Sequence, residues 1–122
     1  MPFVDAARAA VDALPNTDPT GIVLQFLLDN AVGRENAVPW PRVRQHLLDN
    51  GRALSKNAFQ QGILKQTREG VVFIGSSNRG YFLIADAADA AEMRDFYLVR
   101  IAKENARLDR LRRLADELGW PI

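Results

Sequence analysis

Few side chains in this 122-residue sequence are able to do chemistry. It contains no cysteine and a single histidine, which excludes thiol nucleophiles, a disulfide framework and Cys-ligated zinc. That histidine, His46, sits beside Leu47 and Leu48 on a helical stretch, where an imidazole is more often a surface or boundary residue than a base. Asp86, Asp89, Glu92 and Asp95 cluster before and within the last helix. Carboxylates there complement the positive end of the helix dipole, and no EF-hand loop with its glycine and distal glutamate accompanies them. Gly75 and Gly80 have the outer spacing of a phosphate-binding loop, but no Gly-Lys-Ser/Thr follows, so that motif is rejected. An enzyme is not expected, nor is a cofactor or a metal.

Side chains that recognise, rather than react, are concentrated in the middle of the chain. The net charge of +1 conceals an uneven distribution. Residues 1–33 carry Arg8 against Asp5, Asp12, Asp18 and Asp29, and residues 81–122 are nearly balanced. Residues 34–80 carry eight basic groups against Glu35, Asp49 and Glu69, a net charge of +5. A basic centre between acidic or balanced flanks is where an anionic partner is sought. Within it, Lys56, Asn57, Gln60, Gln61, Lys65 and Arg68 fall on one helical stretch.

At about 100° per residue, Phe59, Gly62, Ile63 and Gln66 share one side of that helix, with Thr67 at the border. Asn57, Gln61, Lys65 and Arg68 lie opposite, flanked by Lys56 and Gln60. Amides pair bidentately with adenine, arginine reaches guanine and lysines neutralise phosphates. A solvated helix face would use the same residues. Leu64 projects toward the polar side, toward either a thymine methyl or an intramolecular neighbour. Gly62, mid-helix, costs about 1 kcal/mol relative to alanine, an expense that close approach of another helix would explain.

Two further sets surround this helix. Ser76, Ser77, Asn78 and Arg79 fall on a loop between two apolar runs, and an arginine there can enter a narrow minor groove. A turn chosen only for its tolerance of unusual dihedrals is the plainer account. Arg42, Arg44 and Ser55 are candidates for backbone phosphates, and Arg34 and Arg52 could join them. Surface pairing with Asp49 or Glu35 is the alternative for these arginines.

The elements that must position these groups follow from periodicity and punctuation. Residues 3–14 read as an Ala-rich helix stopped by Pro15, Asn16, Asp18 and Pro19. Thr20 is placed to cap a helix over Gly21–Asn30, apolar nearly all round and so buried on several sides. A loop over 31–39 includes a short strand at Ala37–Val38. Pro41 opens the next helix, which Asn50-Gly51 ends. Ser55 caps the helix over Lys56–Glu69, and Gly70 stops it. The runs Val71–Ile74 and Tyr81–Ile84, separated by residues 75–80, read as a hairpin. Residues 88–118 lack Gly and Pro and predict one long helix, some 46 Å at 1.5 Å per residue. Its seam, Tyr97, Ile101, Leu108, Leu111, Ala115 and Leu118 with Glu104 at one position, repeats every four and three residues, as in coiled coils. A homodimer is the favoured reading, and an intramolecular brace packed on the N-terminal helix or the 21–30 helix is the alternative.

The stretch LLDNGRALSKNAFQQGILKQTREGVVFIGSSNRGYFLI, Leu47 to Ile84, resembles the winged helix-turn-helix domain, and small phage- and prophage-type winged-helix proteins in particular. The resemblance rests on the turn ending at Leu54, the serine-capped helix, and the hairpin ending Gly-Tyr-Phe. Gly62 and Gln66 depart from the usual pattern. It implies a mainly α fold with a small β-hairpin. The expected division is an N-terminal helix and linker (1–19), a winged domain (20–86) and a long C-terminal helix (87–122).

The expected function is sequence-specific binding of double-stranded DNA by a homodimer, a small transcriptional regulator or phage-type accessory factor. The 56–69 helix would enter the major groove, the hairpin would act as the wing, and the C-terminal helix would set half-site spacing. The alternative is a winged-helix module that binds a protein partner, as adaptor or inhibitor, without DNA. A single-strand binder lacks its expected row of exposed aromatics. No stretch reaches the roughly 18 apolar residues of a membrane span. Residues 1–15 lack the cationic start and apolar run of a secretory signal, so a cytoplasmic, membrane-free protein is expected.

Overall fold

In the computed structural model, which describes residues 1–70 and 72–122, the chain is mainly helical with one small antiparallel hairpin. It divides into two compact units, Met1–Ala90 and Ala91–Ile122. The first contains α1 (Pro2–Ala13), α2 (Pro19–Asn30), a 3₁₀ turn (Arg34–Asn36) and α3 (Trp40–Asp49). It continues with α4 (residues 56–69) and strands β1 (Ile74–Ser77) and β2 (Gly80–Leu83). The last helix, α5 (Ala87–Glu117), begins there and supplies most of the second unit. Among the described residues, no helix is long and apolar enough to cross a membrane.

Helix ends largely follow the expected chemistry. α2 is capped by Asp18 rather than Thr20: Asp18 Oδ1 accepts from the Thr20 amide at 2.8 Å. An ionised carboxylate suits the positive end of the helix, and Pro19 fills the first position, where no N–H is needed. α3 ends in a Schellman motif, with Gly51 at φ +74. The Gly51 amide donates to Leu48 O and the Arg52 amide to Leu47 O, at 3.0 and 2.8 Å. The Arg52 guanidinium then donates to the Thr17 carbonyl at 2.7 Å, tying the α1–α2 turn to the end of α3.

α4 departs from a regular α-helix, and the departure changes which residues face inward. Its first turn (Lys56–Ala58) and last turn (Lys65–Glu69) are α-helical, but Phe59–Leu64 is π-helical. Hydrogen bonding from i to i+5 winds the chain more slowly, so Leu64 comes round toward the face of Phe59. Phe59, Ile63, Leu64 and Thr67 are buried together, while Gln66 is exposed. Leu64 is therefore a core residue. A Cβ added at Gly62 would meet nothing within 4 Å, so among the described residues of this unit no close helix approach accounts for the glycine.

The hairpin is shifted toward its turn relative to the sequence expectation. Ile74 pairs with Leu83 and Ser77 with Gly80, leaving a two-residue turn at Asn78-Arg79. Gly75, Ser76 and Ser77 are thus strand residues, and Val72 and Phe73 precede the strand. Val71, expected to open it, lies outside the described residues. Two close approaches explain the glycines. The Phe82 ring lies 2.6 Å from where a Gly75 Cβ would be, and Val38 O lies 2.0 Å from the corresponding point at Gly80. The other edge of β2 is met by the 31–38 segment: Val38 and Tyr81 exchange backbone bonds of 2.9 and 2.8 Å, and Leu83 bonds Ala31 and Gly33. The strand expected at Ala37–Val38 is thus a single bridge at Val38.

Val23, Leu24 and Leu27 of α2, Val43 and Leu47 of α3, Phe59 of α4, and Ile74, Phe82 and Leu83 of the hairpin form the buried core. The apolar circumference of α2 is consumed by this packing. α1 adds Val4 and Ala7 and packs on α2.

Candidate nucleic-acid interface

Phe59 anchors α4 in the unit. Its ring meets Trp40, at the start of α3, at 5.1 Å, and Tyr81 of β2 edge-on at 5.0 Å. Ser55 Oγ accepts from the Ala58 amide at 3.0 Å, the cap expected of it. The outward side of α4 then presents Lys56, Asn57, Gln61 and Lys65, all exposed, joined by Gln66. None of these five has a hydrogen-bond or ion-pair partner among the described residues. Gln66 was assigned to the inner side by a uniform 100° advance, and its polar side chain was the one signal against that assignment.

Two residues expected on this surface turn inward to the hairpin instead. Arg68 Nε donates to Ile74 O at 3.0 Å and Nη2 to Ser76 Oγ at 2.9 Å. The guanidinium lies 5.2 Å from the centre of the Phe73 ring. Its planar fork is spent on the strand edge, which fixes the hairpin against the end of α4. Gln60 Nε2 approaches the Tyr81 hydroxyl at 3.4 Å, a second and weaker tie. Ser76, expected as a wing contact, is half-buried and carries this latch.

At the hairpin turn, Asn78 and Arg79 are exposed, and Ser77 Oγ accepts from the Arg79 amide at 3.2 Å. The expected wing residues thus divide into a structural pair, Ser76 and Ser77, and an outward pair, Asn78 and Arg79. No non-glycine residue among those described has positive φ; at the hairpin that conformation falls on Gly80, at φ +131.

Of the residues expected to meet backbone phosphates ahead of α4, Arg44 and Ser55 come together: with Leu48, Ala53 and Leu54 they line a shallow recess of about 260 Å³. Arg42 is exposed, with its guanidinium carbon 5.7 Å from the centre of the Phe26 ring. The other face of helical packing here is His46, whose ring stacks on Phe26 at 4.5 Å and 15°. Arg34 and Arg52 are engaged elsewhere. Arg52 holds Thr17 O, and Arg34 Nε lies 3.8 Å from Asp89 Oδ1. The acidic cluster is correspondingly structural at its start. Asp86 Oδ1 accepts from the Asp89 amide and Asp89 Oδ2 from the Ala85 amide, at 2.9 and 3.0 Å, in a reciprocal cap.

In the second unit, Ile101, Leu108, Leu111 and Leu118 of the α5 seam are 42–60% exposed. Glu104, at the charged seam position, pairs with Arg107 at 2.7 Å. Tyr97 is half-buried, and Phe96 and Tyr97 meet edge-on at 5.6 Å. Ala115 departs from the open seam. Gly119 (φ +70) closes a Schellman turn in which the Trp120 amide donates to Ala115 O at 2.9 Å, and Ala115 is 3% exposed within its own chain.

No protein-family model matches this chain, and neither a curated protein nor a solved structure is significantly similar to it.

Proposed function

We propose that the unit Met1–Ala90 is a winged helix-turn-helix module that binds double-stranded DNA, with α4 in the major groove and the Asn78-Arg79 turn as the wing tip. The observation that carries this reading is the outward stripe of α4. Asn57, Gln61 and Lys65 are exposed and unpartnered on a helix held rigidly to the hairpin by Arg68. Rigid support matters because base contacts tolerate little misplacement. Lys56 and Arg44 flank the start of the helix, and both are exposed, suited to phosphate contacts that position without reading sequence. The chain acts as a homodimer through the α5 seam, since a four-three apolar repeat left exposed is the geometry of helix-on-helix packing. A small transcriptional regulator or phage-type accessory factor fits this combination.

The test is retention of the full chain by random-sequence duplexes at low salt, followed by the triple variant Asn57→Ala, Gln61→Ala, Lys65→Ala. Specific binding should vanish while the urea melt is unchanged, because all three side chains are exposed. Arg68 is left out of this variant because its removal would disturb the hairpin. Persistence of specific binding in the triple variant would refute the assignment. A clean protein partner with no duplex retention would favour the second reading, an interaction module using the same exposed seam.

A further inference from the structure

The outward face of α4 carries a narrower chemistry than its composition suggests. An amide side chain presents one acceptor and one donor side by side. That pair matches the N6–H donor and N7 acceptor of adenine, and mismatches guanine, whose major-groove edge offers two acceptors. Guanine is read best by a guanidinium, and Arg68 is the single arginine of α4. Its guanidinium is bound to Ile74 O and Ser76 Oγ. Gln60 is turned to Tyr81, and Leu64 is buried, which removes it as a thymine-methyl contact. Asn57 and Gln61 are thus the two outward amides that fall in one line, one turn apart, with Lys65 one turn further on; Gln66 is also exposed but, next to Lys65 in sequence, lies off that line.

We infer that α4 is an adenine reader: Asn57 and Gln61 each take the major-groove edge of one adenine, and Lys65 supplies a charge contact beside them. This rests on the DNA-binding reading above. Four residues of an α-helix advance by about 6 Å, a little less where the π-helical stretch from Phe59 begins, against 3.4 Å per base pair along a strand, so the two adenines lie roughly two base steps apart. Lys65 carries a point charge without a planar fork and contributes chiefly to affinity.

The experiment is selection from random duplexes by the full-length chain, followed by sequencing, for the wild type and for Gln61→Glu and Asn57→Asp. The wild type should enrich two adenines at this separation, each preferred by roughly 5- to 150-fold over other bases. A carboxylate only accepts, and cytosine offers its N4 amino donor. Gln61→Glu should therefore move one of the two positions from adenine to cytosine and leave the other, and Asn57→Asp should do the converse. Urea melts of both variants should match the wild type, because neither side chain has a partner to lose. Guanine at either position, or base preferences unmoved by both substitutions, would overturn the adenine assignment while leaving DNA binding standing. Failure of the wild type to retain any duplex at low salt would overturn the DNA reading and this inference with it.

Discussion

Replacing Arg68 by alanine should destabilise the Met1–Ala90 unit by about 2–3 kcal/mol, although arginine near the end of an exposed helix is ordinarily dispensable. The magnitude follows from three of its contacts. Two half-buried hydrogen bonds, to Ile74 O at 3.0 Å and Ser76 Oγ at 2.9 Å, contribute about 1 kcal/mol each. The guanidinium over Phe73 at 5.2 Å adds roughly 0.5–1 kcal/mol. For a domain of this size that loss corresponds to a melting point lower by about 10–20 °C, readable by circular dichroism in urea and temperature ramps. Arg68→Lys keeps the charge but lacks the fork that reaches both acceptors, and should recover less than half of the loss. Ser76→Ala should cost about 1 kcal/mol alone and much less in the Arg68→Ala background, a coupling that a double-mutant cycle isolates. An Arg68→Ala protein within about 0.5 kcal/mol of wild type, or full additivity with Ser76→Ala, would refute the latch and return Arg68 to the outward readers.

Four other substitutions probe the glycines of the first unit and the seam of α5. Gly80→Ala places a Cβ 2.0 Å from a backbone carbonyl at φ +131 and should cost more than about 3 kcal/mol. Gly75→Ala brings a Cβ to 2.6 Å from the Phe82 ring and should cost about 1–3 kcal/mol, both read in thermal melts. Gly62→Ala enters open space in a helix interior and should stabilise the unit by up to about 1 kcal/mol, a gain visible as a higher urea midpoint. Leu111→Glu, at a seam position 57% exposed in one chain, should abolish the proposed dimer, leaving a monomer by light scattering with no loss of helical signal.

The helices and their ends were legible because their signals are local. Ser55 before α4, Asn50-Gly51 after α3 and the Gly- and Pro-free run of α5 each act within a few residues. The hairpin was legible as a hairpin but displaced, since Gly75, Ser76 and Ser77 look like loop by propensity. They extend because the Phe82 ring covers Gly75 and the 31–38 segment braces β2, contacts made by residues distant in sequence. The same limit hid the fate of the arginines. Arg68, Arg34 and Arg52 all look like surface cations in sequence, but folding brings Ser76, Asp89 and Thr17 O to them.

The candidate site changed most through the phase of α4. A constant 100° advance put Leu64 outside and Gln66 inside; the π-helical Phe59–Leu64 stretch reverses both. Their polarity already favoured that outcome, as an apolar residue on a polar face and a polar residue on an apolar face are jointly removed by slower winding. The seam of α5 was legible as a repeat. The burial of Ala115 was not, and it accompanies the turn at Gly119 in which the Trp120 amide bonds the Ala115 carbonyl.

The proposed hold of the basic, outward face of Met1–Ala90 on duplex DNA is tested most directly by the salt dependence of affinity. Fluorescence anisotropy with a labelled random duplex, between 50 and 200 mM salt as a rough working range, gives the slope of log K against log salt. Arg42, Arg44, Lys56, Lys65 and Arg79 are exposed cations outside any ion pair among the described residues. If they neutralise phosphates, the slope should be about −4 to −5 per bound chain, from about −0.9 for each phosphate contacted. Lys65→Ala should make it shallower by about 1. A slope near zero, or no binding at the lowest salt, would contradict the account.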